Sequence, residues 1–179
     1  MLLRSCIGTE SELTPSPTIE TICNGDFESG WECWQHGGEL DQSVECDEDQ
    51  CYAVLGNPDY VCYGGVPVGD AWMKQTLKVS QAVSPTLSLR YRVVSYDLDL
   101  PEYDYFQVAI NGKPLPKRYG NSEWNEPSCD REPWDSGWQD LTVDLSVYRG
   151  EEIEVSFHSF NGTQPYHNTW TYIDDVMVD

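Results

Sequence analysis

The chain has 179 residues, enough for one domain with a substantial core, with or without a tail. Its 31 acidic against 10 basic residues give a formal charge of −21, which argues against nucleic acid or an anionic membrane as partner and suits a soluble extracellular protein or one that holds divalent cations. Seven Trp and eleven Tyr outnumber four Phe, and side chains with an apolar body and a polar tip favour wet interfaces and sugar-stacking sites as well as β-rich cores.

Residues 1–19 lack the apolar run of a signal peptide or a membrane-spanning helix. Leu2-Leu3-Arg4-Ser5-Cys6 reads as the trimmed end of a bacterial lipoprotein signal, in which Cys6 would carry lipid and the following Thr/Ser/Pro stretch would be a tether. The alternative is a plain disordered leader. Both readings place the domain at 20–179, with no membrane insertion beyond an anchor at Cys6.

Beyond residue 20 the apolar residues alternate. Tyr52–Leu55 and Trp72–Val79 are short strands by this pattern, and Leu87, Leu89, Tyr91 and Val93 mark another. Phe106, Val108 and Ile110 follow, closed by Asn111-Gly112, a type I′ hairpin signal. Leu141, Val143 and Leu145 alternate next, then Ile153, Val155 and Phe157 after the Arg149-Gly150 turn. The succession predicts an all-β antiparallel sandwich of the jelly-roll kind. Two stretches, 56–70 and 119–137, are longer than ordinary sandwich connections, and long ordered loops tend to be functional.

Seven cysteines without a CxxC pair point to an oxidising compartment rather than to zinc. Six of them allow fifteen connectivities. The expected set is Cys46–Cys51 across a tight acidic turn, Cys62–Cys129 tying the two long loops, and Cys23–Cys33. Cys6 is left over.

The chain closes on Trp170-Thr171-Tyr172-Ile173-Asp174-Asp175-Val176-Met177-Val178, a strand whose more apolar face carries Trp170, Tyr172, Asp174, Val176 and Val178 and is expected to meet the core. A carboxylate in that row is costly unless paired or bound to a metal, and no Lys or Arg lies in the stretch. Near the start stands Asn24-Gly25-Asp26-Phe27-Glu28. Together with Tyr172-Ile173-Asp174-Asp175-Val176 it resembles the two ends of a carbohydrate-binding-module-type jelly roll, and is similar to galactose-binding-like and MAM-like sandwiches. Tyr103-Asp104-Tyr105-Phe106-Gln107-Val108 also resembles a strand of MAM-like domains. The resemblance implies that opening turn and closing strand lie side by side and share a structural calcium held by Asp26, Glu28 and Asp174, with a carbonyl from the turn around Asp49 and Gln50. Calcium's preference for six to eight hard oxygen ligands agrees. Simple hydrogen bonding of Asp174 at a strand end is the alternative.

There is no G-x-S-x-G and no H-E-x-x-H, and His36, His158 and His167 are scattered. These absences lead to a non-enzymatic reading. The leading expectation is an extracellular module binding carbohydrate or another cell-surface ligand through loop aromatics, Tyr60, Tyr63, Trp124 and Trp134, with Tyr166 and Trp170 as further candidates. The competing reading of each ring is loop packing. An adhesion domain on a surface lipoprotein is the second function, and a secreted hydrolase the third. Asn161-Gly162-Thr163 fits a glycosylation sequon but reads as a turn.

Overall fold

A computed structural model describes residues 21–60, 65–81, 84–97, 102–120, 132–162 and 167–179. Alternation gives each strand one apolar face, and two sheets close on one another to take those faces out of water. In chain order the strands are β1 (Gln35–Gly38), β2 (Gln42–Cys46), β3 (Cys51–Leu55), β4 (Gly69–Lys78), β5 (Thr86–Ser95), β6 (Tyr105–Ile110), β7 (Lys113–Pro114), β8 (Trp134–Asp135), β9 (Gln139–Asp144), β10 (Glu152–Asn161) and β11 (Thr169–Val178). One sheet of five strands has the order β1-β4-β10-β6-β7. The other runs β2-β3-β11-β5-β8, with β9 also paired to β5. Among the described residues all pairings are antiparallel, so the expected sandwich is what the chain forms.

The core between the sheets holds Leu77, Leu87, Leu89, Phe106, Ile110, Ile153, Phe157 and Ile173, each less than about 2% exposed or at that level. The β6–β7 turn puts Asn111 at φ 51° and Gly112 at φ 69°, as a type I′ hairpin requires. Cys46–Cys51 joins residues in register across the β2–β3 hairpin, and Cys23–Cys33 closes the opening turn. Both bonds suit an oxidising compartment. Cys62, Cys129 and Cys6 lie outside the described residues.

The closing strand departs from the expected parity. Thr171 and Ile173 point into the sandwich, with the Thr171 hydroxyl 2.9 Å from that of Ser159 on the opposite sheet. A bulge between Asp174 and Met177, with Asp175 at φ 52°, inserts an extra residue and brings Val176 back to the core. Trp170 therefore lies outside, where it packs with Val54 and Val94 in a second apolar cluster joined by Tyr52, Tyr96 and Tyr172.

Candidate functional site

The opening motif folds as a turn stitched to the end of the closing strand. β3 pairs with β11 only at Thr171–Ile173, and beyond it the turn takes over, with Val176 N–H donating to Gly25 C=O at 2.9 Å. Gly25 is required by this approach, because a Cβ there would sit 1.9 Å from the Val176 carbonyl oxygen. Asn24 holds the turn from inside: its Nδ2 donates to Gly30 C=O at 2.8 Å and its Oδ1 accepts from Ser29 N–H at 3.1 Å. Phe27 is fully buried, and Glu28 Oε1 accepts from Cys51 N–H at 3.0 Å, latching the turn to β3.

Asp174 is 3% exposed, and burial is the first cause that pushes its carboxyl up to about 6. Its Oδ1 accepts from Asp175 N–H at 2.7 Å. Asp26 is near enough to raise it further, while Arg90, in register opposite on β5, lowers it. A basic partner thus arrives from the neighbouring strand, although Arg90's direct ion pair is with Asp175 at 3.1 Å. Among the described residues no group of three or more His, Cys, Asp or Glu converges closely enough to hold a metal ion. An ion at this junction would rest on Asp26 and Asp174, with Glu28 partly committed to Cys51, and would need carbonyls and water for its other ligands.

A second array of ligand-type side chains lies elsewhere, on the outer face of the five-stranded sheet. Alternation that buries Val155 and Phe157 turns Ser156, His158 and Phe160 of β10 outward. Register then aligns Trp72, His158 and Gln107 in one row across β4, β10 and β6, and Asp70, Phe160 and Tyr105 in the next. Tyr105 and Phe160 stack with ring centroids 5.3 Å apart. Trp72 lies against Gly37 of β1, where a Cβ would come within 2.9 Å of its ring. A groove of about 290 Å³ runs along this face over Asp70, Tyr105, Gln107, His158 and Phe160.

His158 is held at both nitrogens, with Nδ1 2.8 Å from Asp70 Oδ2 and Nε2 3.0 Å from Ser156 Oγ. The tautomer that fits donates from Nδ1 to the carboxylate and accepts the serine hydroxyl at Nε2. Asp70 Oδ1 is buried with no hydrogen-bond partner among the described residues, leaving acceptor capacity beneath the groove. The sequence reading did not single out this Ser-His-Asp relay; its only local signal is Ser156 and His158 two residues apart on one strand face.

Of the loop aromatics named from sequence, Tyr63, Trp124 and Tyr166 lie outside the described residues. Tyr60 is 37% exposed, and its carbonyl accepts from Asn168 Nδ2 at 2.7 Å. Trp134 is half-buried and packs on the core, lining a different cleft from the sheet-face groove. The two are not brought together. The sequon does not offer its amide: Asn161 is 1% exposed and its Nδ2 donates to Pro67 C=O at 2.7 Å.

No known family matches this sequence, and no curated protein does. Solved structures do share its fold. The K3 cleaved adhesin domain of Lys-gingipain from Porphyromonas gingivalis W83 aligns with a TM-score of 0.55 at 17% identity, covering 89% of this chain and 98% of that one. TmCBM61, solved in complex with β-1,4-galactotriose, aligns with a TM-score of 0.52 at 11% identity, covering 88% and 96%. The enzymatically active domain of bacteriophage CBA120 tailspike protein 4 aligns at 0.50 and 12% identity over 89% of this chain, but only 21% of its own. The sandwich is one that carbohydrate-binding modules and adhesin domains use.

Proposed function

We propose that the chain is a non-catalytic extracellular binding module that takes carbohydrate across the outer face of its five-stranded sheet. The observation that carries this reading is the pair of rows built by Trp72, His158 and Gln107 and by Asp70, Phe160 and Tyr105. Aromatic faces cover the C–H faces of a sugar ring, while the amide, imidazole and carboxylate between them meet its hydroxyls. The likeness to a module solved with a galactose trisaccharide supports this use of the fold. The test is a glycan array with the wild type and Trp72→Ala. Binding of defined oligosaccharides that the folded variant loses supports the reading, and an array on which the wild type binds nothing removes it.

The ion belongs to the same proposal. A calcium at the junction of opening turn and closing strand would draw on Asp26, Glu28 and Asp174, and it would offset the buried charge of Asp174 while clipping the chain ends together. The support is the burial of Asp174 beside Asp26. Elemental analysis of the purified chain tests it directly.

The Ser156–His158–Asp70 relay favours a second reading, hydrolysis by an activated serine. Two features weigh against it. Ser156 is 4% exposed and does not line the groove, and it sits in the central strand β10, paired on both sides by β4 and β6, where backbone N–H groups are spent on the ladder rather than free for an oxyanion. Labelling by a serine-directed fluorophosphonate, lost in Ser156→Ala, would establish the hydrolase. An adhesion role on protein ligands is the remaining alternative, supported by the adhesin-domain likeness.

A further inference from the structure

Three cations of the sheet faces are neutralised within the fold: Lys74 by Glu154 at 2.8 Å, Arg90 by Asp175 at 3.1 Å and Arg92 by Asp135. Lys117 and Arg118 differ. Both are exposed, and among the described residues neither has a carboxylate at ion-pair distance. Each rests on an aromatic ring instead, Arg118 Cζ 4.0 Å from the Tyr105 centroid and Lys117 Nζ 4.5 Å from that of Tyr119. Arg118 Nη1 also donates to Glu102 C=O at 3.5 Å. Because Tyr105 stacks on Phe160, Arg118 ends the aromatic row of the sheet face. It also lines a second cleft, of about 310 Å³, with Lys117, Tyr119 and Trp134. Groove and cleft are therefore neighbours, linked through the contact of Arg118 with Tyr105.

We infer that this corner receives an anionic substituent, a uronate carboxylate or a sulfate ester, on the glycan that lies across the sheet; the inference rests on the carbohydrate reading above. A guanidinium held against Tyr105 keeps a planar fork of N–H donors for two oxygens of one anion, and Lys117 adds a second charge from the neighbouring position. Among the described residues Lys78, Lys113 and Arg149 also lack an ion pair, but none of them is held over a ring, and Lys117 and Arg118 stand side by side. With a formal charge of −21, the chain repels anions generally, and screening over roughly 8 Å at physiological ionic strength confines attraction to the neighbourhood of uncompensated cations. The same repulsion limits the ligand. One charged unit seated at Arg118 gains from two cations, whereas each further charge along a polyanion faces acidic surface. The glycan is thus mostly neutral, with an isolated acidic residue.

The test uses matched oligosaccharide sets, each backbone prepared neutral, with one uronate, with that uronate methyl-esterified, and with one sulfate. Titration of the wild type should give affinity about tenfold higher for a singly charged form than for its neutral parent, the scale of one charge-assisted hydrogen-bonded contact. The methyl ester should fall back to the neutral level, and the uronate and sulfate arms say which anion is preferred. K117Q/R118Q should lose the preference while keeping neutral binding, since both residues are exposed and outside the core. Equal affinity for charged and neutral forms, or a preference that survives in the double variant, overturns the inference and leaves the carbohydrate reading standing. Failure of every form to bind overturns both.

Discussion

Asp104 offers the sharpest test of the electrostatic account. It is 1% exposed at one end of the sandwich, with Oδ1 accepting from Gly162 N–H and Oδ2 from the Thr169 hydroxyl, both at 2.5 Å. Burial outweighs these bonds and, with a smaller push from Asp97, holds the carboxyl at about 7 against an ordinary 3.8. The folded state therefore keeps a proton that the unfolded chain has released between about pH 4 and pH 7, so stability falls as pH rises through that window. A difference of roughly three pKa units corresponds to about 4 kcal/mol at neutral pH, as an upper figure. Asp104→Asn removes this loss and keeps the bonds: its Oδ1 accepts from Gly162, its Nδ2 donates to Thr169 Oγ1, and that hydroxyl turns to Ser95 Oγ, 2.6 Å away. Denaturant unfolding of both proteins from pH 4.5 to 8 measures the effect. The two should have similar stability at the acid end, with the variant gaining steadily to a few kcal/mol by pH 7.5. A difference that does not change with pH, or a variant that loses ground as pH rises, refutes the reasoning.

Other outcomes follow from the same geometry. Gly25→Ala should lower stability by at least 2 kcal/mol in thermal or denaturant unfolding, because the new methyl meets backbone carbonyl rather than a mobile side chain. Phe27→Ala should cost about 3–5 kcal/mol by the same assay, as expected for a fully buried ring. Replacing the Cys46–Cys51 pair by alanines should cost about 2 kcal/mol and the Cys23–Cys33 pair about 3, the ordering set by loop length. If calcium binds at Asp174, it must displace the proton that burial retains up to about pH 6, so its stabilisation should grow as pH rises above 6, vanish below it, and be absent in Asp174→Ala.

Much of the architecture was legible because it is written in period-two alternation. The runs at Leu87–Val93, Phe106–Ile110, Leu141–Leu145 and Ile153–Phe157 became β5, β6, β9 and β10, and Asn111-Gly112 became the β6–β7 turn. Short edge strands such as β1, β7 and β8 carry too few residues for a period to show. The closing strand misled in a specific way. Counting alternation through Asp174 assumes an unbroken strand, and the bulge changes parity there, sending Trp170 to the outer cluster while Ile173 and Val176 face the core. The role of Arg90 opposite Asp174 depends on strand pairing, which the local stretch does not contain. The sheet-face site had a signal that went unused: Trp72, Tyr105 and Phe160 occupy outward positions of strands whose alternate residues are apolar. Loops drew attention because binding residues concentrate there. Their alignment into rows comes only with the register of β4, β10 and β6.

The location of the ligand tests the central claim most directly. Amide chemical-shift mapping of the isotope-labelled chain, titrated with an oligosaccharide that it binds on the array, should move resonances of β4, β10 and β6 around Trp72, His158 and Tyr105. Signals from Tyr52, Trp138 and Tyr172 on the opposite sheet should stay in place. Shifts centred on that opposite face, or on the loop around Tyr60, would contradict the account.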